Sequence, residues 1–340
     1  MSMQPLLSVR HLTTEFQLAN NQVARALENV SFDVRPGQTL GLVGESGCGK
    51  TTTLMSVMRL LPASGRITEG NIYFKGTDLL TLSEREMRTF RWKEIAIIFQ
   101  GSMNALNPVM KVGDQIREAI LMHNPVEREA AEERVGELLE LVGIQRQRGE
   151  QYPFQYSGGM RQRAMIAMAL ACSPALLFAD EPTTALDVMI QAQVLELLKQ
   201  IQRNLGLTIV LVTHDLGVIA EMCDEVVVMY GGKVAEYGTA DLIYNQPQHP
   251  YTQRLLKAFP DLNRATESAE SAGQDLVTIP GSPPRLNALP PGCRFNPRCE
   301  ESMEICTQIA PDLVDMAAAG ADARHLAACH LLKRMKIEDQ

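Results

Sequence analysis

The sequence predicts an α/β protein built around a parallel sheet. Two short continuous apolar runs, ALLFAD (175–180) and TIVLVTHD (208–215), are typical of parallel strands that are buried on both faces. Between them, the apolar positions of residues 190–205 fall on one face of a helix, which Gly206 is placed to end. A strand, a helix and a second strand in this order form the βαβ alternation of a parallel sheet.

The N-terminal third contains four further strand-like segments. Each shows apolar or β-branched alternation and ends in turn residues: LLSVRHLTTEF (6–16), ALENVSFDVRPG (26–37), TLGLVG (39–44) and GNIYFKGTDL (70–79). The pattern changes at residues 127–142, where EREAAEERVGELLELV has helical periodicity and Gly143 is a stop signal. We therefore expect strands at the start of the chain and helical structure in its middle.

The composition is that of an ordinary folded protein with an acidic surplus. Hydrophobic residues make up 45% of the 340 positions, and the net charge is −8. This charge argues against nucleic acid and against direct adhesion to anionic lipid, because both depend on Lys and Arg. The most apolar stretch, residues 164–179, is interrupted by Ser173 and Pro174, so we expect no membrane span. The start MSMQPLLSVRH shows no leader pattern, which favours a cytosolic location.

A phosphate-binding loop is predicted directly after the strand TLGLV. The segment GESGCGKT (44–51) fits the pattern G-x-x-x-x-G-K-[ST], whose glycines let backbone N–H groups surround phosphate oxygens. We expect Lys50 to reach the β- and γ-phosphates of a nucleotide and Thr51 to bind Mg²⁺. The predicted nucleotide contacts of this loop are Gly44, Glu45, Ser46, Gly47, Cys48, Gly49, Lys50, Thr51 and Thr52.

Two carboxylates follow the apolar strand LLFAD, at the end where open α/β sheets bind ligands. We expect Asp180 to orient the Mg²⁺ shell and Glu181 to polarise the attacking water as a general base. His214 ends the next strand and is expected to stabilise the charge that grows on the γ-phosphate. A carboxylate pair or a histidine alone is usually structural, but the phosphate-binding loop upstream favours the functional interpretation.

A second helix start suited to phosphate lies at YSGGMRQR (156–163), where Ser157, Gly158 and Gly159 lead into a helix. A single nucleotide needs only one γ-phosphate clamp. The second site is therefore expected to serve another ATP.

In this order the motifs resemble those of the nucleotide-binding subunits of ATP-binding cassette (ABC) transporters, from Leu6 to about Pro260. The resemblance implies that Ser157 and its two glycines grip an ATP held on the partner's P-loop. It also implies that Gln100 in IIFQ is the Q-loop residue, close to Mg²⁺ and water, and that Asp187 in TTALD belongs to the D-loop. In this family an aromatic residue near the N-terminal strand stacks on adenine. Phe16 is the best-placed candidate, and the alternative for it is a core position.

A narrower resemblance, to the ATPase subunits of bacterial dipeptide and oligopeptide importers, is carried by IIFQGSMNALNP, SGGMRQR, ADEPTTALDV and HPYTQRLL. Tyr156 stands where the family usually has leucine before the signature serine. The resemblance implies a P-loop NTPase core with an N-terminal antiparallel β subdomain and a helical subdomain. The expected divisions are a nucleotide-binding domain at 6–260 with its helical subdomain at about 102–170, a linker at 261–278 and a cysteine-bearing C-terminal module at 279–334.

The implied function is ATP hydrolysis, with Mg²⁺, that energises peptide import from the cytoplasmic face of the cell membrane. The implied partners are two transmembrane permease subunits, a second ABC ATPase that is a paralogue or a copy, and an extracytoplasmic peptide-binding protein. Residues 102–121 are expected to pass motion to the permeases. The alternatives are another cargo, such as a nickel chelate or an oligosaccharide, a soluble ABC ATPase of DNA repair or translation, and a metal-sensing regulator.

Four of the seven cysteines lie in the C-terminal tail: Cys293, Cys299, Cys306 and Cys329. In a reducing compartment such a group indicates metal ligation more often than disulfides. Its spacing fits neither the usual zinc pairs nor the ferredoxin runs, although four thiolates are the complement of an iron–sulfur cluster. The tail resembles the C-terminal region of peptide-importer ATPases in which a [4Fe–4S] cluster is found. A zinc site and a loop with incidental cysteines are the alternatives.

Overall fold

The structure is a computed structural model that describes residues 4–101, 105–184, 186–258, 279–316 and 324–332. The strands are β1 (Leu7–Gln17), β2 (Val23–Val34), β3 (Thr39–Val43), β4 (Gly65–Phe74), β5 (Thr77–Asp78), β6 (Ile95–Ile98), β7 (Leu176–Asp180), β8 (Thr208–Val212), β9 (Glu225–Tyr230), β10 (Lys233–Thr239), β11 (Val314–Asp315) and β12 (His325–Ala327). The α-helices are α1 (Lys50–Val57), α2 (Glu84–Phe90), α3 (Val112–His123), α4 (Arg128–Leu141), α5 (Gly158–Ala169), α6 (Val188–Leu205), α7 (Leu216–Met222), α8 (Ala240–Asn245), α9 (Pro250–Ala258) and α10 (Glu304–Gln308).

The chain forms two compact units. The first contains residues 4–6, 34–39 and the described residues of 75–212, and the second contains residues 7–33, 40–74 and the described residues from 213 onwards. None of the described helices combines the length and the apolar composition that a membrane span requires.

The first unit contains the predicted parallel strands. Strands β6, β7 and β8 run parallel, so that Ala179 lies beside Ile98 on one side and Leu211 on the other. Every residue of β7 and β8 is buried, as their continuous apolar runs predict. Helix α6 joins them and ends before Gly206, which has a left-handed φ of 62°. The predicted βαβ unit is confirmed.

Helices α3, α4 and α5 form the helical part of the first unit, and the predicted helix at 127–142 is α4. Helix α4 ends where Gly143 adopts a φ of 73°. Just before strand β6, Trp92 is tied to α5, since its indole N–H donates to the carbonyl of Met168 at 2.9 Å.

The second unit contains an antiparallel layer and five further strands. Strand β1 lies between β2 and β4 and pairs antiparallel with β4, with Leu7 opposite Phe74 and Phe16 opposite Gly65. This layer is the expected antiparallel β subdomain. In the other sheet β3 runs parallel to β9, and β10, β12 and β11 follow in antiparallel order. The last two strands come from the tail, which therefore extends this sheet.

Strand β12 is fixed to β10 by a buried carboxylate as well as by backbone pairing. Glu236 is fully buried, and its Oε1 lies 2.7 Å from His325 Nε2. The same carboxylate accepts the backbone N–H groups of Gln248 at 2.7 Å and His249 at 2.9 Å. A buried carboxylate with this many partners ties the tail strand and the start of α9 to one point.

Candidate functional site

The predicted phosphate-binding loop connects β3 to α1, and its glycines are required by crowding. Gly44 has a φ of 144°, and a Cβ there would lie 2.2 Å from the carbonyl oxygen of Met229. Gly49 has a φ of 110°, and a Cβ there would lie 2.7 Å from Leu27 Cδ2. Only glycine fits such positions without moving the backbone behind the loop.

Lys50 lies in the first turn of α1 and points back into the loop. Its side chain is buried, and its Nζ donates to the carbonyl of Gly44 at 2.5 Å and of Glu45 at 3.1 Å. Thr51, beside it, is exposed to solvent. Cys48 is 2% exposed, and burial raises the pKa of its thiol, so this cysteine is a neutral spacer within the loop.

Glu45 has two partners that sequence reasoning missed. Its backbone N–H donates to Tyr251 Oη at 2.8 Å, and its carboxylate accepts two hydrogen bonds from Arg298 at 2.6 and 3.0 Å. Tyr251 belongs to the HPY triplet and Arg298 to the tail sequence CRFNPRC. The only sequence signal was a pair of arginines close to two cysteines, and this pattern does not predict that one of them contacts the loop.

The carboxylate predicted as general base lies in the first unit, directly after β7. Glu181 is half-buried, and its Oε2 accepts from Gln100 Nε2 at 2.7 Å and from Thr184 Oγ1 at 2.9 Å. Asp180, the last residue of β7, is 2% exposed. The structure therefore brings together Glu181 and the predicted Q-loop residue, which are 81 positions apart.

The predicted second phosphate site is the start of α5. Ser157 is the N-cap of this helix, and its Oγ accepts the backbone N–H of Met160 at 3.3 Å. Gly158 and Gly159 form the first turn, and a Cβ on Gly159 would lie 2.7 Å from Ile190 Cγ2. The first N–H groups of any helix lack intrahelical acceptors, and the serine cap accepts only that of Met160.

Tyr156 is 3% exposed, and its hydroxyl donates to the carbonyl of Arg148 at 2.9 Å. Burial raises the pKa of the phenol to about 12, so the group is neutral. The tyrosine that precedes the serine is thus buried with its hydroxyl group hydrogen-bonded.

The other predicted residues lie at element ends. Asp187 is exposed and caps α6, since its Oδ1 accepts the N–H of Ile190 at 3.0 Å. In the second unit, His214 is exposed beyond the end of β8, just before α7. Phe16 is half-buried on β1, its ring lying over Gly65. Phe16 is thus neither fully buried nor fully exposed.

The four tail cysteines are all free thiols. Burial raises the pKa of Cys299 to about 11, and the neighbouring Cys293, Cys329 and Cys306 raise it further. The backbone N–H of Cys293 donates to the carbonyl of Cys306 at 2.8 Å. The four thiols are therefore electrostatic neighbours. Among the described residues, however, no group of three or more His, Cys, Asp or Glu side chains is placed to hold a metal ion.

Comparison with known proteins gives concordant matches. Residues 27–184 match the ABC transporter family, and residues 235–306 match the oligopeptide/dipeptide transporter C-terminal region. The chain is 50% identical to the dipeptide transport ATP-binding protein DppD of Bacillus subtilis, over 91% of both chains. It is 46% identical to the oligopeptide transport ATP-binding protein OppD of Salmonella typhimurium, over 90% of this chain and 89% of that one. This chain belongs to the ABC transporter ATPase subunits.

A solved ABC structure agrees with this assignment. The ATP-binding cassette MJ0796, a dimer in a post-hydrolysis state bound to ADP and Pi, is 27% identical with a TM-score of 0.62. The match covers 98% of that cassette but 69% of this chain. This ABC ATPase is thus longer than that cassette, and the C-terminal region match contains Tyr251, Arg298 and three of the four tail cysteines.

Proposed function

We propose that this ABC ATPase drives the import of dipeptides or oligopeptides. The cargo is supported by DppD and OppD, whose names state dipeptide and oligopeptide transport. The observation that carries the catalytic part is the 2.7 Å hydrogen bond between Gln100 Nε2 and Glu181 Oε2. The transport names of these relatives do not favour a soluble ATPase of DNA repair or translation, and another cargo rests on no observation.

Each predicted residue has a specific role in the proposed reaction. Lys50 binds the β- and γ-phosphates, with the loop N–H groups from Gly44 to Thr52 around them. Thr51, Asp180 and Gln100 provide the oxygen ligands or water contacts that Mg²⁺ prefers. The carboxylate of Glu181 accepts the proton of the attacking water, and His214 stabilises the charge on the γ-phosphate. Phe16, which is half-buried on β1, is the candidate for stacking on adenine.

A composite site explains the exposed start of α5. Ser157, Gly158 and Gly159 bind the ATP on the partner subunit's loop, and Asp187 lies near that contact. ATP shared in this way stabilises the closed pair of ATPases, and hydrolysis releases it. The proposed assembly contains a second ABC ATPase, two permease subunits and an extracytoplasmic peptide-binding protein, with this chain on the cytoplasmic face of the membrane.

The domain divisions remain proposals: a nucleotide-binding domain at 6–260, a helical subdomain at about 102–170 and a C-terminal module at 279–334. The linker at 261–278 lies outside the described residues, as do residues 102–104 of the segment proposed to contact the permeases. The rest of that segment contains α3, with Val112 to His123 helical as its sequence indicates.

We also propose that Cys293, Cys299, Cys306 and Cys329 hold a [4Fe–4S] cluster. The free state of all four thiols and their mutual effect on pKa support it. Gly292 supports it too, because a Cβ there would lie 2.3 Å from the carbonyl oxygen of Cys306. Glycine at this position therefore lets the backbone next to Cys293 approach that of Cys306 closely. A bound cluster would cross-link a tail that has little core of its own.

Metal analysis of anaerobically purified protein tests this cluster. We expect a brown protein with roughly four irons and four sulfides per chain. Serine at any one of the four cysteines should lower the iron content. A colourless protein with stoichiometric zinc would refute the iron–sulfur assignment.

The experiment that tests the proposed function is ATPase assay of the complete transporter in membranes. With Glu181→Gln, ATP should still bind, but turnover should fall by about 10²- to 10⁴-fold because the amide is a poor base. Lys50→Ala should lose ATP binding, whereas Ser157→Ala should impair the site on the partner's loop. Wild-type turnover in the Glu181→Gln transporter would remove Glu181 from this role, and no stimulation by peptides would argue against the cargo.

A further inference from the structure

We propose that Arg298 of the tail is a positioning residue for the nucleotide: through Glu45 it holds the phosphate-binding loop in the shape that receives ATP. This inference rests on the proposed role of the loop as the ATP site. It gives the C-terminal region a direct part in nucleotide binding, in addition to any part in holding the tail together.

The contact between the two side chains is bidentate and shielded from solvent. Arg298 Nη1 lies 2.6 Å from Glu45 Oε2, and Nη2 lies 3.0 Å from Oε1. The Arg298 side chain is 5% exposed and that of Glu45 23%. Two parallel charge-assisted bonds fix the orientation of both planar groups, whereas a single exposed pair would not.

Arg298 is itself rigidly held. Its Nη1 also donates to Tyr230 Oη at 3.1 Å, and its Nε donates to the carbonyl of Pro280 at 2.8 Å. The guanidinium therefore cannot turn to follow a displaced Glu45 without losing these bonds. A buried charge that loses its partner is costly, so the resting position of Glu45 is strongly preferred.

Glu45 transmits this position to the atoms that meet phosphate. Its backbone N–H is fixed by Tyr251 Oη at 2.8 Å, and its carbonyl accepts from Lys50 Nζ at 3.1 Å. The peptide groups on both sides of Glu45 belong to the loop whose N–H groups surround the phosphates. A shift of the Glu45 side chain would thus move the loop backbone and the resting place of Lys50 together.

A short helical turn of the tail fixes the position of Arg298. Arg298 closes the short helical turn Asn296–Arg298, which begins with Asn296 N–H donating to the carbonyl of Cys293 at 3.0 Å. The N–H of Cys299 donates back to Asn296 at 3.2 Å. Because this turn lies between two cysteines, any change that disorders it withdraws Arg298 from the loop. ATP affinity is therefore coupled to the order of the cysteine-bearing tail.

A second arginine of the same turn region acts beside it. Arg294 Nη2 lies 2.5 Å from Glu28 Oε2, and its Nη1 donates to the carbonyl of Gly231. The next residue, Gly232, donates its N–H to the carbonyl of Cys48 at 2.9 Å. Both arginines of CRFNPRC therefore bind near the loop. Arg298 binds the loop residue Glu45 directly, whereas Arg294 binds Glu28 and Gly231.

The test is a double-mutant cycle on the full-length chain, with MgATP as the ligand. Arg298→Gln and Glu45→Gln should each weaken MgATP binding about tenfold, the size expected for residues in direct contact. The double variant should be no weaker than either single one, because both remove the same pair. Arg298→Lys keeps the positive charge but cannot form two parallel hydrogen bonds to the carboxylate, so this variant should retain only part of the affinity.

The assembled transporter separates positioning from a merely structural role. With Arg298→Gln, KM for ATP should rise while kcat at saturating ATP stays within about twofold, because the chemical groups are untouched. Glu300→Gln is the matched control, since Glu300 is an exposed tail carboxylate whose ion-pair partner is Arg254 of α9. It should leave MgATP binding unchanged.

Three outcomes would overturn the inference: folded Arg298→Gln protein that binds MgATP within twofold of wild type, additive losses in the double variant, or an equal loss in Glu300→Gln. If Arg298→Gln fails to fold, Arg298→Lys takes its place, and wild-type MgATP affinity in that variant overturns the inference. Lys50→Ala distinguishes the two proposals, because unaltered ATP binding in that variant would instead refute the proposed ATP site.

Discussion

At the scale of single residues, the proposed general base combines a strained backbone with a fixed side chain. Glu181 has a φ of 46°, a left-handed conformation that non-glycine residues rarely adopt, and its N–H donates to the carbonyl of Val212 at 2.9 Å. Gln100 and Thr184 both donate to the same carboxylate oxygen, Oε2. Strain of this kind persists only where surrounding bonds enforce it, and it is concentrated at functional sites.

Tyr156 allows a prediction at the same scale. Tyr156→Phe removes the hydroxyl that satisfies the carbonyl of Arg148 in a buried position, so the free energy of unfolding should fall by about 1–2 kcal/mol. Urea titration followed by the fluorescence of Trp92, the single tryptophan, measures it in the same unit. Tyr152→Phe, at a half-buried tyrosine nearby, serves as the control. Equal stability of the Tyr156→Phe variant and wild type would show that the hydroxyl contributes nothing.

At the scale of elements, the loop between β3 and α1 has room for a side chain at some of its glycines but not at others. Its glycines all have positive φ, but they differ in their surroundings. A Cβ on Gly44 would meet the carbonyl of Met229, whereas a Cβ on Gly47 would meet nothing within 4 Å. The backbone of β9 behind the loop is thus what forbids a side chain at Gly44.

The two glycines form a matched pair of variants. Gly44→Ala should abolish MgATP binding and lower stability, because the added methyl forces the loop away from β9. Gly47→Ala should cost only the strain of a left-handed alanine, on the order of 1 kcal/mol, and keep measurable binding. Binding measurements and thermal unfolding of both variants check this. Equal effects of the two substitutions would contradict the steric explanation.

At the scale of the whole molecule, long-range polar contacts attach the tail to the second unit. Glu236 joins β10, the residues before α9 and strand β12 through its buried carboxylate. His249 continues this network, since its Nδ1 accepts the N–H of Tyr251 at 3.0 Å. Tyr251 in turn reaches the backbone of Glu45. The C-terminal region, α9 and the phosphate-binding loop are therefore parts of one hydrogen-bonded network.

This network predicts a dependence of stability on pH. Burial lowers the pKa of His249 to about 4, although the buried Glu236 carboxylate opposes this change. The unfolded chain, with a histidine pKa of about 6.5, therefore binds more protons between pH 6.5 and pH 4. The free energy of unfolding should fall as pH drops through this window, by about 2 kcal/mol between pH 7 and pH 5.

Denaturant unfolding of wild type and His249→Asn at pH 7 and pH 5 measures this effect. Asparagine keeps an acceptor for the N–H of Tyr251 but does not titrate, so the variant should lose that part of the pH dependence. Glu236 and His325, the other ionisable side chains of this network, are unchanged in the variant. An unchanged pH dependence in the variant would show that His249 is not responsible.

The sequence by itself determined the features that depend on residues close together along the chain. Helix α6 and strands β7 and β8 follow from apolar periodicity, and the loop at 44–51 follows from glycine spacing, because backbone conformation is set largely within a few residues. Glu181 and Gln100 were each identified by motif, but their contact across 81 positions was not visible in the pattern.

Only the tertiary structure decided which distant groups meet. The sequence treated the tail as a separate module after a linker, whereas the structure adds β11 and β12 to the sheet of the second unit. Arg298 and Glu45 are 253 positions apart, and each alone looks like an ordinary surface charge. A buried ion pair is chosen by the packing that excludes water around both partners, and that packing exists only once the chain has folded.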